Sequence, residues 1–248
     1  MIRRISCVAI LLMNMMLASN AHAMLTTEDI LKAADEARGN VEGIAWEVTI
    51  ESTENERVTD TLVYDIKARS FNISGISLAP PKYRGNKILM LNTSMWFYKS
   101  GLSKPVPISQ RQKLMGDASY GDIASTNYAE NYDATLLADE DANDENCYVF
   151  DLKAKTEKTT YDRIKYWISK RRLVGVKAEY FTVSGKKFKS ATMDYENLVH
   201  LRGKTRPFLS KITMHGELMN GAITYLNLRN PHIGPLADYV FDLNLFMR

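Results

Sequence analysis

The sequence predicts a mainly β domain of the α+β class, with about ten antiparallel strands and with helices at the start and in the middle. Apolar and polar residues alternate in several segments, which is typical of half-buried strands. Ser184-Gly185 and Asn220-Gly221 separate such segments, and these dipeptides favour the tight turns of hairpins. Strands joined by short turns pair antiparallel. A sheet of this size generally curls or closes rather than staying flat.

The first helix and the strands follow from local patterns. A helix over residues 27–39 is predicted because Thr27 can cap it, Gly39 can end it, and apolar residues fall on one face. The strands follow from period-two alternation and from two short apolar runs, 88–91 and 95–98. The alternating apolar residues are Trp46, Val48, Ile50; Leu62, Tyr64, Ile66; Tyr148, Phe150, Leu152; Ile164, Tyr166, Ile168; Val174, Val176, Ala178, Tyr180; and Ile212, Met214, Leu218.

The middle of the chain has a different pattern. Residues 101–138 show no sustained alternation, and Pro105 and Pro107 punctuate a loop. Leu114–Tyr128 predicts one or two short helices. The chain has neither a repeat of 20–50 residues nor a linker rich in Gly, Pro or Ser, so we expect one domain.

Composition excludes several other classes of protein. The chain has 248 residues, of which 45% are hydrophobic and 25% are charged. These values suit a soluble globular protein and exclude intrinsic disorder and fibrous proteins. Its two cysteines are too few for a disulfide scaffold or a four-thiolate zinc site.

Residues 1–23 have the three regions of a secretory signal peptide. Two arginines form a positive start, Val8–Leu17 is a short apolar stretch, and small residues precede a cleavage site after Ala23. A retained anchor is the alternative, but the apolar stretch is shorter than the roughly 20 residues that span a bilayer. We therefore expect export and a single mature domain over 24–248. Its net charge of about +1 argues against a nucleic-acid partner.

Recognised catalytic motifs are missing from the sequence, which has no G-x-S-x-G, P-loop, dinucleotide fingerprint or H-E-x-x-H. For His200, His215 and His232 a surface or strand position is favoured over a role as general base. Asp139–Asp144 imitates the start of a calcium loop but lacks its glycine, so an acidic hairpin turn is favoured. Cys147 is interpreted as a half-buried strand residue rather than a reactive thiol.

Charge is segregated along the chain. Residues 117–150 contain nine acids and no Lys or Arg, whereas 151–189 contain twelve bases and four acids. The favoured interpretation is that opposite charges attract across neighbouring strands. The alternative is a pair of docking faces, one of them for an anionic membrane or an acidic partner.

Large apolar side chains are abundant on the predicted strands. They can fill a core, or they can line an apolar cavity suited to acyl chains on the concave face of a curled sheet. Periodicity is the same in both cases, so both interpretations stay open.

Several segments together carry a resemblance to a known family. They are Met95–Tyr98, a loop with Pro105, Gly116–Ile123, Asn131–Ala134, Cys147–Lys153, Tyr161–Lys170 and Ala178–Lys186. Their order and spacing resemble the periplasmic outer-membrane lipoprotein-sorting family of the LolA-like superfamily, in particular the branch found beside exporters of the RND type. The resemblance covers essentially the whole of residues 24–248.

This resemblance implies an unclosed antiparallel β-barrel of about ten to eleven strands, with helices forming a lid over a hydrophobic cavity. It implies a periplasmic carrier, without catalytic activity or cofactor, that moves lipid or lipoprotein acyl chains between the membranes of a Gram-negative envelope. A free lipid or another amphiphile fits as cargo as well as a lipoprotein. An inner-membrane RND-type transporter and an outer-membrane acceptor are the implied protein partners.

Strand parity assigns residues to the implied cavity, and the predicted helices supply the residues of the implied lid. The expected cavity residues are Trp46, Val48, Ile50, Leu62, Tyr64, Ile66, Trp96, Tyr98, Phe150, Tyr166 and Ile168. The expected lid residues are Ile30, Leu31, Leu114, Met115, Tyr120 and Ile123.

Two other functions remain open. The same scaffold can serve as an envelope-stress sensing module that binds a membrane-protein partner and retains no lipid. A hydrolase is the less favoured alternative, because the sequence shows no nucleophile–base pair.

Overall fold

A computed structural model of the chain describes residues 25–124, 126–217 and 222–247. The predicted signal peptide and the Asn220-Gly221 turn lie outside these residues. The helices are α1 (Thr27–Glu36) and α2 (Tyr128–Asn131), and short 3₁₀ turns occupy Pro81–Tyr83, Tyr120–Ile123 and Asp238–Phe241. No described helix is long and apolar enough to cross a membrane.

The strands are β1 (Val41–Glu54), β2 (Arg57–Ser70), β3 (Asn72–Ala79), β4 (Lys87–Leu91), β5 (Ser94–Tyr98), β6 (Val106–Ile108), β7 (Lys113–Met115), β8 (Ala118–Ser119), β9 (Tyr132–Leu136), β10 (Glu140–Ala142), β11 (Glu145–Ala154), β12 (Arg163–Ser169), β13 (Gly175–Phe181), β14 (Lys187–Asp194), β15 (Asn197–Leu201), β16 (Lys204–Phe208), β17 (Lys211–Gly216) and β18 (Ala222–Ile233).

One long antiparallel sheet dominates the described part of the chain. Its order is β10-β11-β12-β13-β14-β17-β18-β1-β2-β3-β4-β5-β6, and β9 also pairs with β11. The sheet is not closed, and β15–β16 and β7–β8 form separate two-stranded ladders. The mainly β, unclosed architecture confirms the expected class. The expected number of ten to eleven strands is not confirmed, because the main sheet has fourteen.

The extra strands lack a strong sequence signal. β3 alternates Ile73, Gly75 and Ser77 on its buried positions, so only one of these three side chains is large and apolar. β6 and β10 have three residues each, which is too short for an alternation to show. Among the predicted turns, Asn143 and Asp144 join β10 to β11 with positive φ angles of 50° and 59°, so this acidic segment is a hairpin turn.

The middle segment differs from the prediction of short helices. Leu114 and Met115 lie on β7, which pairs with β8, and a 3₁₀ turn follows. Gly116 has a φ of +54°, a left-handed conformation that reverses the chain after β7 and is incompatible with a helix there. We call residues 113–123 the crossing segment, because they run over one face of the sheet.

Register places the predicted strand residues on that same face. Trp46 lies opposite Ile66, Val48 opposite Tyr64, and Ile50 opposite Leu62. Since side chains alternate along a strand, all six project to one side, which we call the inner face.

Helices α1 and α2 cover the inner face and share its core. Thr26 caps α1, one residue before the predicted cap, and forms a capping box with Asp29. Ile30 and Leu31 of α1 are buried in the single hydrophobic core, together with Ile123 and Tyr128.

The C-terminal segment lies on the other, outer face of the sheet. The Arg69 guanidinium, which projects outward from β2, lies 4.8 Å from the centre of the Phe241 ring. The sheet is therefore covered on both faces near the C-terminal end of β2, whereas residues 57–61 at its start are exposed.

Candidate functional site

A groove of about 830 Å³ opens at the edge of the inner face, between β2, the turn after β3 and the crossing segment. Its volume is within the range of about 300–1,000 Å³ that small-molecule sites commonly have. It is lined by Ser52, Thr59, Asp60, Thr61, Leu62, Tyr64, Pro80, Lys82, Tyr83, Asn86, Phe97, Lys113, Leu114, Met115, Gly116 and Tyr120.

The groove brings together residues that were predicted separately as cavity and lid. Leu62 and Tyr64 of β2 form its floor, while Leu114, Met115 and Tyr120 come from the crossing segment. The residues of β2 reach the groove because they are two apart on one strand and therefore share a face. The lid residues reach it because the reversal after β7 folds the crossing segment back over β1 and β2.

The other predicted cavity residues of β1, β2, β11 and β12 pack in the core. They are at most 3% exposed, and they belong to the hydrophobic core and do not line the groove. They are Trp46, Val48, Ile50, Ile66, Phe150, Tyr166 and Ile168. Of the predicted lid residues, Ile30, Leu31 and Ile123 are also buried there. A lipid-binding role for these ten residues stays a prediction, and it requires the covering elements to move.

The side chains of β5 face the opposite way from the prediction. Phe97 lines the groove, and Met95 is buried in the core. Trp96 and Tyr98 therefore project from the other side of the strand, where the Tyr98 ring lies 6.3 Å from that of Phe246. The short apolar run allowed both parities, since it does not alternate with polar residues.

Hydrogen bonds fasten the crossing segment to the sheet. The Asp117 backbone N–H donates to the Thr224 hydroxyl at 2.8 Å, and the Gly216 N–H donates to the Asp117 carboxylate at 3.1 Å. A Cβ on Gly116 would lie 2.2 Å from the Thr224 Oγ1 atom, so only glycine allows this close approach. These contacts fix the reversal directly above β17 and β18.

A buried ion pair is the second attachment. The Lys189 ammonium on β14 donates to Asp122 Oδ2 at 2.9 Å and to the Asp117 carbonyl at 3.0 Å, and both charged side chains are only 3% exposed. The Tyr161 hydroxyl contacts the ammonium and donates to Asp122 Oδ1 at 2.6 Å. Burial, followed by the nearby Asp122 charge, raises the pKa of Tyr161 well above its usual value. The hydroxyl therefore stays protonated and remains a donor.

Neutral tyrosine hydroxyls and two lysines give the groove its polar character. Burial raises the pKa of both Tyr64 and Tyr120, and the neighbouring tyrosine hydroxyls raise it further. Both groups therefore stay neutral at physiological pH. Lys82 lies in the turn after β3 and Lys113 begins β7, so the two lysines belong to different walls of the groove.

Helix α1 is joined to α2 by a buried carboxylate. Asp35 Oδ2 accepts the Ala129 backbone N–H at 3.0 Å. Burial raises the pKa of Asp35 to about 6, although that hydrogen bond opposes the shift. Arg38, also buried, lies with its guanidinium 5.6 Å from the centre of the Tyr128 ring. The two covering helices are thus connected through polar groups that are removed from water.

The remaining chemistry-bearing residues lie elsewhere. His200, His215 and His232 are exposed on β15, β17 and β18. Cys147 is buried, and burial raises the pKa of its thiol. Over the described ranges, no three His, Cys, Asp or Glu side chains are grouped so that they could hold a metal ion. The segregated charges pair across the sheet, as favoured, with Lys165 lying 2.8 Å from Glu140.

Three solved structures are similar over nearly their whole length. A LolA superfamily protein from Nitrosomonas europaea is 29% identical, with a TM-score of 0.78 over 88% of this chain and 98% of that one. A DUF1329 family protein from Desulfovibrio piger is 18% identical, with a TM-score of 0.72 over 89% and 97%. A proposed outer membrane lipoprotein-sorting protein domain from Vibrio parahaemolyticus is 21% identical, with a TM-score of 0.72 over 89% and 98%.

Sequence comparison finds one family model that covers most of the chain. A family model described as "Uncharacterized protein" matches residues 75–248, which include the crossing segment and most of the sheet. No protein with a curated description matches the chain. The Desulfovibrio and Vibrio structures show the fold, and the Nitrosomonas protein adds sequence similarity within the same superfamily. The chain therefore belongs to the LolA-like superfamily.

Proposed function

We propose that the protein is a periplasmic carrier of amphiphiles, which binds an acyl chain in the groove and transfers it between envelope membranes. The groove itself is the observation that supports this function most directly. It is large enough for a chain and combines an apolar floor with a roof made by the crossing segment. Each CH₂ group that leaves water contributes about 0.8 kcal/mol, so a stretch of about eight contributes roughly 6 kcal/mol before the costs of ordering.

The roof can admit and release such a chain. Leu114 and Met115 line the groove through apolar contacts, whereas the hydrogen-bonded attachments lie further along, at Asp117 and Asp122. Displacing β7 would break its pairing with β8, but it need not break the buried ion pair of Lys189 and Asp122. A larger movement of the crossing segment, or of α1 and α2, would expose the predicted cavity residues that now lie in the core.

Location and partners complete the proposal. Export would follow from the predicted signal peptide, and the cargo would be a free lipid or a lipoprotein acyl chain. An RND-type transporter in the inner membrane and an outer-membrane acceptor are the proposed donor and recipient. The scaffold would then supply binding and shielding without catalysis.

Native mass spectrometry tests whether the protein carries a lipid. Protein purified from the periplasm should retain about one amphiphile per chain, which organic extraction would release for identification. Protein that is consistently empty, and that takes up no acyl probe when one is offered, would contradict the carrier function.

A variant series tests the groove as the site. Leu114→Glu and Met115→Glu place a charge on the apolar roof and should each lower the affinity for a fluorescent acyl probe at least tenfold, since a buried carboxylate without a partner is costly. Leu198→Glu is the matched control, because Leu198 is an apolar residue 66% exposed on β15, outside the groove. Circular dichroism checks that each variant is folded. Unchanged affinity in folded Leu114→Glu and Met115→Glu would remove the groove from the proposal.

A further inference from the structure

We propose that the groove selects amphiphiles with an anionic headgroup, such as a carboxylate or a phosphate monoester, and that Lys82 and Lys113 bind this headgroup. This inference rests on the proposed function and specifies its cargo. It follows from the presence of both lysines in the groove, from their lack of acidic partners, and from the neutral donors that line the same groove.

The first observation is that both lysines belong to the groove and neither is neutralised. Across residues 25–124, 126–217 and 222–247, no carboxylate lies within 4.0 Å of the Lys82 or Lys113 ammonium. The Lys82 ammonium lies 4.8 Å from the centre of the neighbouring Tyr83 ring, an arrangement that leaves its charge available. Asp60 is the one acid among the groove residues, so the groove carries a net positive charge.

Several lysines of the main sheet, unlike Lys82 and Lys113, have a carboxylate partner. Lys165, Lys170 and Lys187 each have a carboxylate partner on a neighbouring part of the sheet. Lys82, in a short turn, and Lys113, at the start of a small ladder, line the same groove. Two like charges placed around one cavity repel each other, and an oxyanion between them relieves that repulsion.

The second observation concerns the neutral groups of the groove. Tyr64 and Tyr120 keep their hydroxyl protons, because burial raises their pKa. Protonated hydroxyls donate hydrogen bonds to an oxyanion and add no opposing charge. Leu62, Leu114 and Met115 supply the apolar contact for the chain that carries the headgroup. The groove thus offers cationic and hydrogen-bonding groups beside an apolar surface, which matches the two parts of an anionic amphiphile.

Matched probes separate the contribution of the headgroup from that of the chain. Dansylaminoundecanoic acid and its methyl ester have the same chain, but the ester replaces the carboxylate with a neutral group that is one methyl larger. At low ionic strength the acid should bind about tenfold more tightly, which corresponds to about 0.7 kcal/mol for each of two partly exposed charge pairs. Added salt should reduce this difference, since exposed charges are screened.

Replacing both lysines with glutamine tests whether they bind the headgroup. The double variant K82Q/K113Q should bind the acid only as tightly as the ester, while its affinity for the ester should stay within about twofold of the parent protein. The control K104Q/K204Q removes two exposed lysines outside the groove and should leave both affinities unchanged. Displacement of the bound acid by hexadecanoate, hexadecyl phosphate and hexadecanol compares carboxylate, phosphate and neutral headgroups on one chain.

The outcomes distinguish this inference from the carrier function. Equal binding of acid and ester, or displacement by hexadecanol as effective as by both anions, would overturn headgroup selection and leave the acyl-binding function intact. An equal loss of acid and ester binding in K82Q/K113Q would also overturn it, because the lysines would then shape the groove rather than bind charge. Failure of the parent protein to bind either probe would contradict the carrier function itself.

Discussion

Replacing Lys189 with methionine tests the buried attachment of the crossing segment. Methionine keeps most of the side-chain volume but leaves the Asp122 carboxylate without its cation, while Asp122 remains only 3% exposed. Removing one partner of a buried ion pair typically costs about 3–5 kcal/mol, because an uncompensated charge stays in the interior. For a domain of 150–250 residues, this loss lowers the melting temperature by roughly 6–20 °C.

The matched control lies on the same strand. Lys187 is 3.1 Å from Glu217, and both side chains are about two-fifths exposed. K187M should therefore cost less than about 1 kcal/mol. The double variant K189M/D122N should be more stable than K189M, because asparagine carries no charge and its side-chain oxygen can still accept the Ser119 backbone N–H.

Urea unfolding followed by circular dichroism measures these free energies. Hydrogen exchange adds a local measurement, since amides of the crossing segment should exchange faster in K189M than in K187M. The reasoning would be refuted by a K189M variant within about 1 kcal/mol of the parent protein, or by K187M costing as much as K189M. Either result would mean that the ion pair is not buried in solution as the structure places it.

Two further predictions concern the covering helix and the chain reversal. Asp35 has a folded pKa of about 6, above its usual value of 3.8, so the folded state binds the extra proton and stability should fall as pH rises from about 4 to about 6. The loss should be on the order of 3 kcal/mol, and Asp35→Asn should abolish this slope in urea midpoints measured across that pH range. Gly116→Ala should lower the free energy of unfolding by about 2–4 kcal/mol, because the new Cβ would meet the Thr224 hydroxyl at 2.2 Å. Gly203→Ala is its control, since Gly203 also has a positive φ but has open space around the added Cβ; a similar loss in both variants would show that the Thr224 contact is unimportant.

The sequence alone identified the strands on which apolar and polar residues alternate. Leu62 and Tyr64 were predicted to face a cavity because polar residues separate them on a half-buried strand; they are buried at the edge of the core and line the groove, and their role in binding lipid stays a prediction. The same reasoning treated Trp46 and Ile66 in the same way, yet these two are buried in the core. Alternation reports which side of a strand is apolar, and it contains no information on whether a helix such as α1 fills the space above it.

The polar groups of the site could not be predicted from local patterns. Lys189 stands on the inner face, opposite Tyr180, although a lysine on a predicted strand suggests the solvent side. Its partner Asp122 is 67 residues away along the chain. Lys82 and Lys113 are likewise brought to one groove only by the complete fold. Their pairing depends on long-range contacts, which periodicity and spacing do not record.

The two kinds of attachment divide the crossing segment into parts with different roles. From Asp117 to Asp122 it is held by hydrogen bonds and a buried ion pair, all of which must be broken together to lift it. From Lys113 to Met115 it contacts the groove through apolar side chains and one lysine, and these contacts can be exchanged for similar contacts with a ligand. In the proposed uptake of an acyl chain, β7 would move and its pairing with β8 would break, while the buried Lys189–Asp122 pair could stay intact.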